Sequence, residues 1–283
     1  MVTVIIPTYN RAHILKKTIQ GVLSQTYSQT FVIIIDDCST DSTKNIVENF
    51  KKPNIIYIKN KTRLGVSKSR LVGIKNTKTQ WIAFLDDDDA WHIDKLYLQI
   101  KLLKKTNSDF VLSDYYVNHY NKTRSYFVSM KNYSLDFNDS IVKAPGPFLQ
   151  CCVFSTPFII KNISSFDKQA EPSEDWAFFL SIASQNLKIE YINKTLFYWN
   201  YSQSSQSFNK KREFKALIYI VKKFTKKIYR LGGSTALSLN YRRLGFLAKK
   251  DSPDLYKHYY KQAFITQPYN IKNIYFYIKS CIN

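Results

Sequence analysis

WIAFLDDDDAW, residues 81–91, is the stretch on which the fold turns. An apolar run from Trp81 to Leu85 stops at four consecutive carboxylates, Asp86, Asp87, Asp88 and Asp89. A short apolar run closed so abruptly reads as a buried strand that ends at a sheet edge. Four adjacent carboxylates repel one another and are tolerated in solvent or around a positive charge. Side chains of an extended chain alternate, so Asp86 and Asp88 share one side and Asp87 and Asp89 the other. Two carboxylates on one side suit a hard divalent cation that keeps positions open for phosphate oxygens. The competing reading makes Asp88 or Asp89 the cap of the next helix and leaves the others solvated. Capping accounts for one or two of the acids, not for four.

Working outward, residues 2–6 form another β-branched apolar run, closed by Pro7. A helix pattern follows, with Ile14, Leu15, Ile19, Val22 and Leu23 on one face. Residues 31–35 read as a second buried strand ending in Asp36 and Asp37, and residues 55–58 as a third. Helices are expected from Asp41, over 66–74 and over 92–105, the last with Leu96, Ile100 and Leu103 on one face. Strand and helix thus alternate four times at a spacing of about 25 residues, the signature of a parallel sheet covered on both faces. In such sheets ligands bind beyond the carboxyl ends of the strands. That rule gathers PTYN (7–10), Asp36-Asp37 and the Asp run at one edge, with Arg63, Lys68 and Arg70 in a loop and helix nearby.

Past residue 105 the alternation fails. Strands are expected at 109–113, 117–120 and 124–128, the last two as a hairpin around Asn121-Lys122. Residues 130–150 are irregular, 151–155 and 158–160 look extended, and further strands are expected at 187–192 and 196–199. Ser173 reads as the cap of a helix over 174–184 that opens with Glu174 and Asp175. First-turn acids complement a helix dipole; a carboxylate there can also serve as a general base. From Phe208 the composition changes: Lys210 to Lys250 holds thirteen Lys and Arg against one acid, Glu213. Phe214, Leu217, Ile218, Val221, Phe224 and Ile228 form a helical stripe, and further helices are expected at 235–249, at 253–266 and after Pro268. The expected division is 1–207 (halves 1–105 and 106–207) and a helical basic extension, 208–283.

The formal net charge of +21 suggests an anionic partner, nucleic acid, an anionic membrane or a phosphorylated substrate, the alternative being simply a protein rich in Lys. Four cysteines without CxxC spacing argue against structural zinc or a disulfide framework and for reduced thiols. The N-terminus lacks the charged and long apolar regions of a signal peptide. No segment approaches the ~20 apolar residues of a membrane span. The four histidines show no HxH or HExxH spacing, and GxSxG, the Walker loop and GxGxxG are absent.

Five separated motifs then combine: VTVIIPTYNR (2–11), IIIDDCSTDST (33–43), RLGVSKSR (63–70), WIAFLDDDDAW (81–91) and SEDWAFFLSIA (173–183). In this order the chain resembles the bacterial family 2 glycosyltransferases over roughly residues 2–205. The resemblance implies an α/β GT-A fold, a Rossmann-like mixed sheet flanked by helices, and sugar transfer from a nucleotide donor, usually a UDP-sugar, with inversion. By position it implies that Pro7, Thr8 and Tyr9 border the nucleobase with Tyr9 stacking on it, that Asp37 binds the base with Asp36 close by, and that Arg70 lies near base or diphosphate. Asp86 and Asp88 match the outer acids of the family's D-x-D motif, Asp88 as the more direct ligand of Mn²⁺ or Mg²⁺. Asp87 would sit by the ribose and Asp89 would cap a helix. Asp175 would be the catalytic base, with Glu174 beside the acceptor. Two departures stand out: Arg70-Leu71 where many relatives have Arg-Asn, and Tyr201 where many have a histidine.

The resemblance implies a hexosyl- or N-acetylhexosaminyl-transferase acting on a saccharide or lipid-linked saccharide of lipopolysaccharide, lipooligosaccharide, capsule or a related glycan. It implies a cytoplasmic place on the inner face of the inner membrane. The basic stripe of 208–250 suits an anionic leaflet; it equally suits packing on the catalytic domain with lysines in water. A non-catalytic sugar-nucleotide-binding subunit is the alternative reading. A nucleic-acid partner conflicts with acids gathered at the strand-end cleft.

Overall fold

The computed structural model describes residues 1–119, 124–201, 209–249 and 252–282. They form two compact units. The first comprises Met1–Leu135, Pro147–Lys168 and Gln185–Gln203; the second Asp136–Gly146, Gln169–Ser184 and Ser204–Asn283.

The first unit is built on a nine-stranded mixed sheet. Strands β1 (Val2–Thr8), β2 (Thr30–Asp36), β3 (Ile55–Lys59) and β4 (Trp81–Phe84) are parallel, in the order β3-β2-β1-β4. Helices α1 (Ala12–Leu23), α2 (Thr43–Glu48) and α3 (Val66–Lys75) connect them. The sheet continues with β8 (Val153–Ser155), β6 (Phe110–His119), β9 (Ile189–Tyr201) and the short β5 (Ala90–Trp91); β7 (Tyr126–Val128) pairs with β6. Helix α4 (Lys95–Thr106) lies between β5 and β6 in sequence, and α5 (Lys131–Leu135) follows β7. Val4, Ile6, Val32, Ile34 and Ala83 of the strands pack with Leu15, Ile19, Leu96 and Ile100 of the helices in one buried cluster. Runs buried on both faces are what covered parallel strands require.

The strand-helix alternation up to residue 105 is as expected apart from the short β5 before α4, and the other differences in secondary structure lie beyond it. The two runs expected at 109–113 and 117–120 are, as far as the described residues go, one strand, β6 from Phe110 to His119, and those expected at 187–192 and 196–199 are one strand, β9 from Ile189. The expected gap in β9 is a bulge: Ser113 faces Ile192 but Asp114 faces Thr195, so Asn193 and Lys194 are accommodated without ending the strand. Residues 158–160 are helical, not extended, within α7 (Thr156–Lys161). Pro157 starts that helix, and a short apolar run such as Phe-Ile-Ile does not by itself separate helix from strand. The turn expected at Asn121-Lys122 lies outside the described residues.

The second unit is helical: α6 (Phe137–Lys143), α8 (Glu174–Ile182), α9 (Lys210–Ala248), α10 (Pro253–Thr266) and α11 (Ile271–Ile282). Gly233, at φ 63°, breaks α9 into two helical pieces. The expected break at 207/208 thus differs from the compact grouping, in which 136–146 and 169–184 go with the basic tail. The bonding explains why. Lys227 Nζ donates to the carbonyls of Leu180, Ser181 and Ala183 at 3.0, 2.8 and 3.1 Å, capping the end of α8. Asn240 and Arg243 donate to the carbonyls of Val142 and Lys143 at the end of α6. Trp176 of α8 donates to the Ile141 carbonyl of α6 at 2.8 Å. The stripe Phe214, Leu217, Val221, Phe224, Ile228 is buried. It is the core of this unit, which removes the ground for reading that stripe as the face turned to lipid.

Candidate active site

The carboxyl ends of β1, β2 and β4 meet at one edge, as the topology rule requires. Asn10, at φ 52°, turns the chain from β1 into α1. Its side-chain oxygen accepts from the Thr40 amide at 2.8 Å, and its own amide donates to Ser39 at 2.9 Å. Asp41 accepts from the Ala12 amide at 3.0 Å. The loops after β1 and β2 are thereby locked together.

The four acids follow β4 in a turn closed by the Asp89 amide on the Asp86 carbonyl at 3.2 Å, not in an extended strand. Burial still alternates: Asp87 and Asp89 are buried, Asp86 and Asp88 half-buried. Each acid has a distinct partner set. Asp86 accepts from Arg70 Nη2 at 2.8 Å and from Gln150 Nε2. Asp87 accepts from Thr8 Oγ1 at 2.7 Å and from Arg11 Nη1 at 2.8 Å. Asp88 accepts from the same Arg11 nitrogen at 2.6 Å. Asp89 accepts from the Asn200 amide at 2.9 Å, while the Asn200 side chain donates to the Asp88 carbonyl at 2.7 Å. Asp89 is therefore not the helix cap expected of it. It is followed by β5, and it ties the turn to β9; the N-cap position of α4 falls to Asp94.

Crowding shows in the acidities. Burial pushes the Asp87 carboxyl up to about 7, against the pull of Arg11 and with the push of Asp88. Burial likewise raises Asp88, with Arg11 opposing and Asp86 adding, and raises Asp89 well above the usual carboxylate range. Burial works against the Arg11 charge, but Asp87 and Asp88 outweigh it and hold the guanidinium proton more firmly than usual.

Other expected residues have structural partners that define their place. Asp37 accepts from Asn60 Nδ2 at 2.9 Å and from the amides of Leu64 and Gly65 at 2.7 and 2.9 Å, so it fixes the loop before α3. Asp36 accepts from the Ser39 amide and the Tyr57 hydroxyl. Pro7 and Thr8 end β1, and the Tyr9 ring lies 3.9 Å under the Arg63 guanidinium. Lys68 is exposed on α3. Glu174 and Asp175 are buried in the first turn of α8, in the second unit. Tyr201 ends β9 directly opposite His119 of β6, with ring centroids 5.2 Å apart, so an imidazole does lie beside the position where the sequence has none. Ser202 to Ser207 lie outside the described residues.

Arg11, Gln150 and Asn200 are the residues that sequence reasoning missed. Arg11 was visible as the end of PTYNR, but its acids lie 76 and 77 positions away. Gln150 and Asn200 carried no signal at all.

The acids suit a divalent cation in a specific way. If all four ionise, they exceed Arg11 and Arg70 by two negative charges. Asp88 has one carboxylate oxygen on Arg11, and its other oxygen takes no hydrogen bond from another residue among those described. No group of three His, Cys, Asp or Glu stands ready to hold a metal among the described residues. This donor set fits a cation that brings its remaining ligands with it, as Mg²⁺ does when it binds through one or two carboxylates plus substrate phosphates.

Residues 3–162, more than half of the chain, match Glycosyl transferase family 2. The chain belongs to that family. Family 2 membership makes it a glycosyltransferase, and the mixed sheet described above is its GT-A fold. It is 31% identical over 216 residues to the Escherichia coli UDP-Glc:alpha-D-GlcNAc-diphosphoundecaprenol beta-1,3-glucosyltransferase WfaP, covering 75% of this chain and 82% of that protein. Some curated relatives are longer, and the chain spans 30% of their length. The fold is shared with Staphylococcus aureus TarS 1-349 in complex with UDP-GlcNAc, at TM-score 0.65 and 17% identity, over 99% of this chain and 79% of that one. It is shared too with the Pyrobaculum calidifontis mannosyltransferase PcManGT in complex with GDP-Man and Mn²⁺, at TM-score 0.59 and 16% identity, over 99% and 86%.

Proposed function

We propose that this family 2 enzyme moves a hexose or N-acetylhexosamine from a UDP-sugar to a hydroxyl of a lipid-linked saccharide, in the assembly of lipopolysaccharide, lipooligosaccharide, capsule or a related surface glycan. The observation that carries the reading is the Asp86–Asp89 turn at the strand ends, braced by Arg11 and Arg70 and keeping one oxygen of Asp88 available. The named activity of WfaP, a UDP-Glc donor and a diphosphoundecaprenol-linked acceptor, supports donor and acceptor class. A lipid-linked acceptor puts the reaction at a membrane surface, on the cytoplasmic face where nucleotide sugars are available.

In this reading Pro7, Thr8 and Tyr9 border the nucleobase, Asp37 holds the loop that meets it, with Asp36 behind, and Asp87 faces the ribose. A divalent cation, Mn²⁺ or Mg²⁺, would be held by Asp88 with Asp86 alongside and would stabilise charge on the departing nucleoside diphosphate. Asp175 accepts the proton of the acceptor hydroxyl as that oxygen attacks the anomeric carbon, with Glu174 beside the acceptor. The new C–O bond forms opposite the bond to phosphate, which breaks with its electron pair leaving on the diphosphate. One displacement inverts the centre.

The test is nucleoside diphosphate release from a panel of sugar nucleotides, with a polyprenyl-diphosphate-linked N-acetylhexosamine as acceptor, with Mn²⁺ or EDTA. Release from a UDP-sugar, lost in EDTA and in Asp88→Ala, is expected; Asp175→Asn should bind UDP and transfer nothing. Unchanged turnover in EDTA would sink the metal assignment. UDP binding with no release from any donor would favour the non-catalytic subunit.

A further inference from the structure

Helix α11 is amphipathic in the wrong sense for a helix that faces water. Its polar residues Asn273 and Ser280 point inward and are buried. Asn273 donates to Ser238 Oγ at 2.8 Å and to the carbonyls of Ala263 and Gln267 at 3.0 and 2.9 Å, and accepts from Arg242 at 3.1 Å. Phe276 and Tyr277 stack on Tyr260 and Phe264 of α10, but a row of apolar residues points outward: Ile271, Tyr275, Ile278 and Ile282 are 81%, 55%, 54% and 79% exposed. These positions follow the i, i+4, i+7, i+11 spacing of a single helical face. An isolated exposed isoleucine needs no explanation, but a continuous row of them marks an interaction site.

Cations border this row. Lys272 and Lys279 flank it on one side, about a quarter-turn round the helix. Beside it opens a cavity of about 290 Å³ lined by Arg242, Arg243, Lys272, Leu239, Tyr260 and Phe276, with no carboxylate in its wall. Phe246, which also lines it, is exposed. The chemistry is that of an anionic headgroup site next to an apolar face. Over residues 209–282 there are seventeen Lys and Arg against three acids, so the surroundings repel cations and attract anions.

We propose that the α11 face docks this enzyme on an anionic phospholipid surface, with Ile271, Tyr275, Ile278 and Ile282 in the headgroup–acyl boundary and a lipid phosphate in the cavity of Arg242, Arg243 and Lys272. A second copy of the chain is the less suitable occupant. A two-fold contact through α11 would set the Lys272, Lys279 and Arg242 groups of both copies against one another, and residues 209–282 offer only three acids to pair with them. The inference rests on the membrane location proposed above but not on the sugar-transfer chemistry.

The experiment is vesicle co-flotation of the full chain, without donor or acceptor, so that its outcome is separate from that of the transfer assay. The probes are phosphatidylcholine vesicles and vesicles of equal parts phosphatidylcholine and phosphatidylglycerol. Wild type should float with the anionic vesicles only, and high salt should weaken this. Ile271→Asp with Ile278→Asp should lower the partition coefficient roughly tenfold or more, and each of Lys272→Glu and Lys279→Glu by roughly fivefold or more. Ile271, Lys272 and Ile278 are exposed and Lys279 is half-buried against Tyr275, and unchanged thermal unfolding of the variants serves as the folding control. Wild type that ignores anionic vesicles, or variants that float as well as wild type, would overturn the proposal. A dimer in light scattering that Ile278→Asp dissolves would overturn it in favour of self-association.

Discussion

Replacing Arg11 by Gln tests how the acidic turn is held together without substrate. One nitrogen of Arg11 serves Asp87 at 2.8 Å and Asp88 at 2.6 Å, with side chains 19%, 6% and 20% exposed respectively. Removing one partner of a buried ion pair costs about 3–5 kcal/mol, because the other charge stays behind unpaired. A fifth of the Arg11 and Asp88 side chains is in solvent, which screens part of that and leaves about 2–3 kcal/mol. For a unit of this size each kcal/mol moves the melting temperature by about 2–4 °C, so a fall of roughly 5–10 °C is expected. The loss depends on pH with a definite sign. Asp87 titrates at about 7 in the fold, above its ordinary 3.8, so the stability it lends is complete below about 4 and is lost as pH rises through 7. Without Arg11 its carboxyl rises further, so the deficit of the variant should be largest above pH 7 and shrink as Asp87 takes up its proton. Mn²⁺ should restore part of the loss in the variant by replacing the missing positive charge. The assay is thermal unfolding by circular dichroism on either side of neutrality, with and without Mn²⁺. A variant that melts within about 1 °C of wild type above pH 7 would show that Arg11 contributes nothing there, and the account of the turn would fall.

Gly73→Ala should destabilise the first unit by about 1–3 kcal/mol despite the better helix propensity of Ala, because its methyl would lie 2.5 Å from Ile5 Cγ2; a variant more stable in urea would refute this packing of α3 on β1. Lys95 is fully buried against Gln99 and the Trp91 ring, and burial lowers it to about 8 from 10.5. A base depressed in the fold lends stability that is present above its ordinary value and lost as pH falls through the folded one, so wild type should weaken from about pH 10.5 down through 8 by about 3 kcal/mol. Lys95→Met should flatten that slope in urea titrations across the range, and an unchanged slope would exclude Lys95 as its source.

Much of the first unit was legible because its signals are local. Four apolar runs, three of them closed by Pro or Asp, separated by helical periodicity, specify a parallel sheet without knowledge of any contact. Once the strands are parallel, their carboxyl ends must share an edge, and Thr8, Asp37 and Asp86 meet there. Beyond residue 105 the same reasoning loses its grip. A bulge carries Asn193 and Lys194 within a strand whose two halves read as separate. Phe158, Ile159 and Ile160 fit either period, and Pro157 makes them helical.

By itself, then, the sequence determined the class of fold, the strand-end edge that gathers the candidate residues, and the family. Tertiary structure decided what each acid does. Asp89 is a plausible cap by its neighbours in sequence, and only the pairing of β5 with β9 brings Asn200 to it from 111 positions away. Asp87 and Asp88 look alternately disposed, and only the turn lets one Arg11 nitrogen reach both. The tail shows the same division. Its helical periods are written in the sequence, but which stripe is buried depends on what packs against it. Lys227, Asn240 and Arg243 of α9 are drawn to the open carbonyls of α6 and α8, which buries the stripe of α9. On α11 the inward face is instead set by the Asn273 hydrogen bonds, which leaves the isoleucines outside. The period of a pattern is a property of neighbours along the chain, whereas the side that meets the core is settled by partners far away in it.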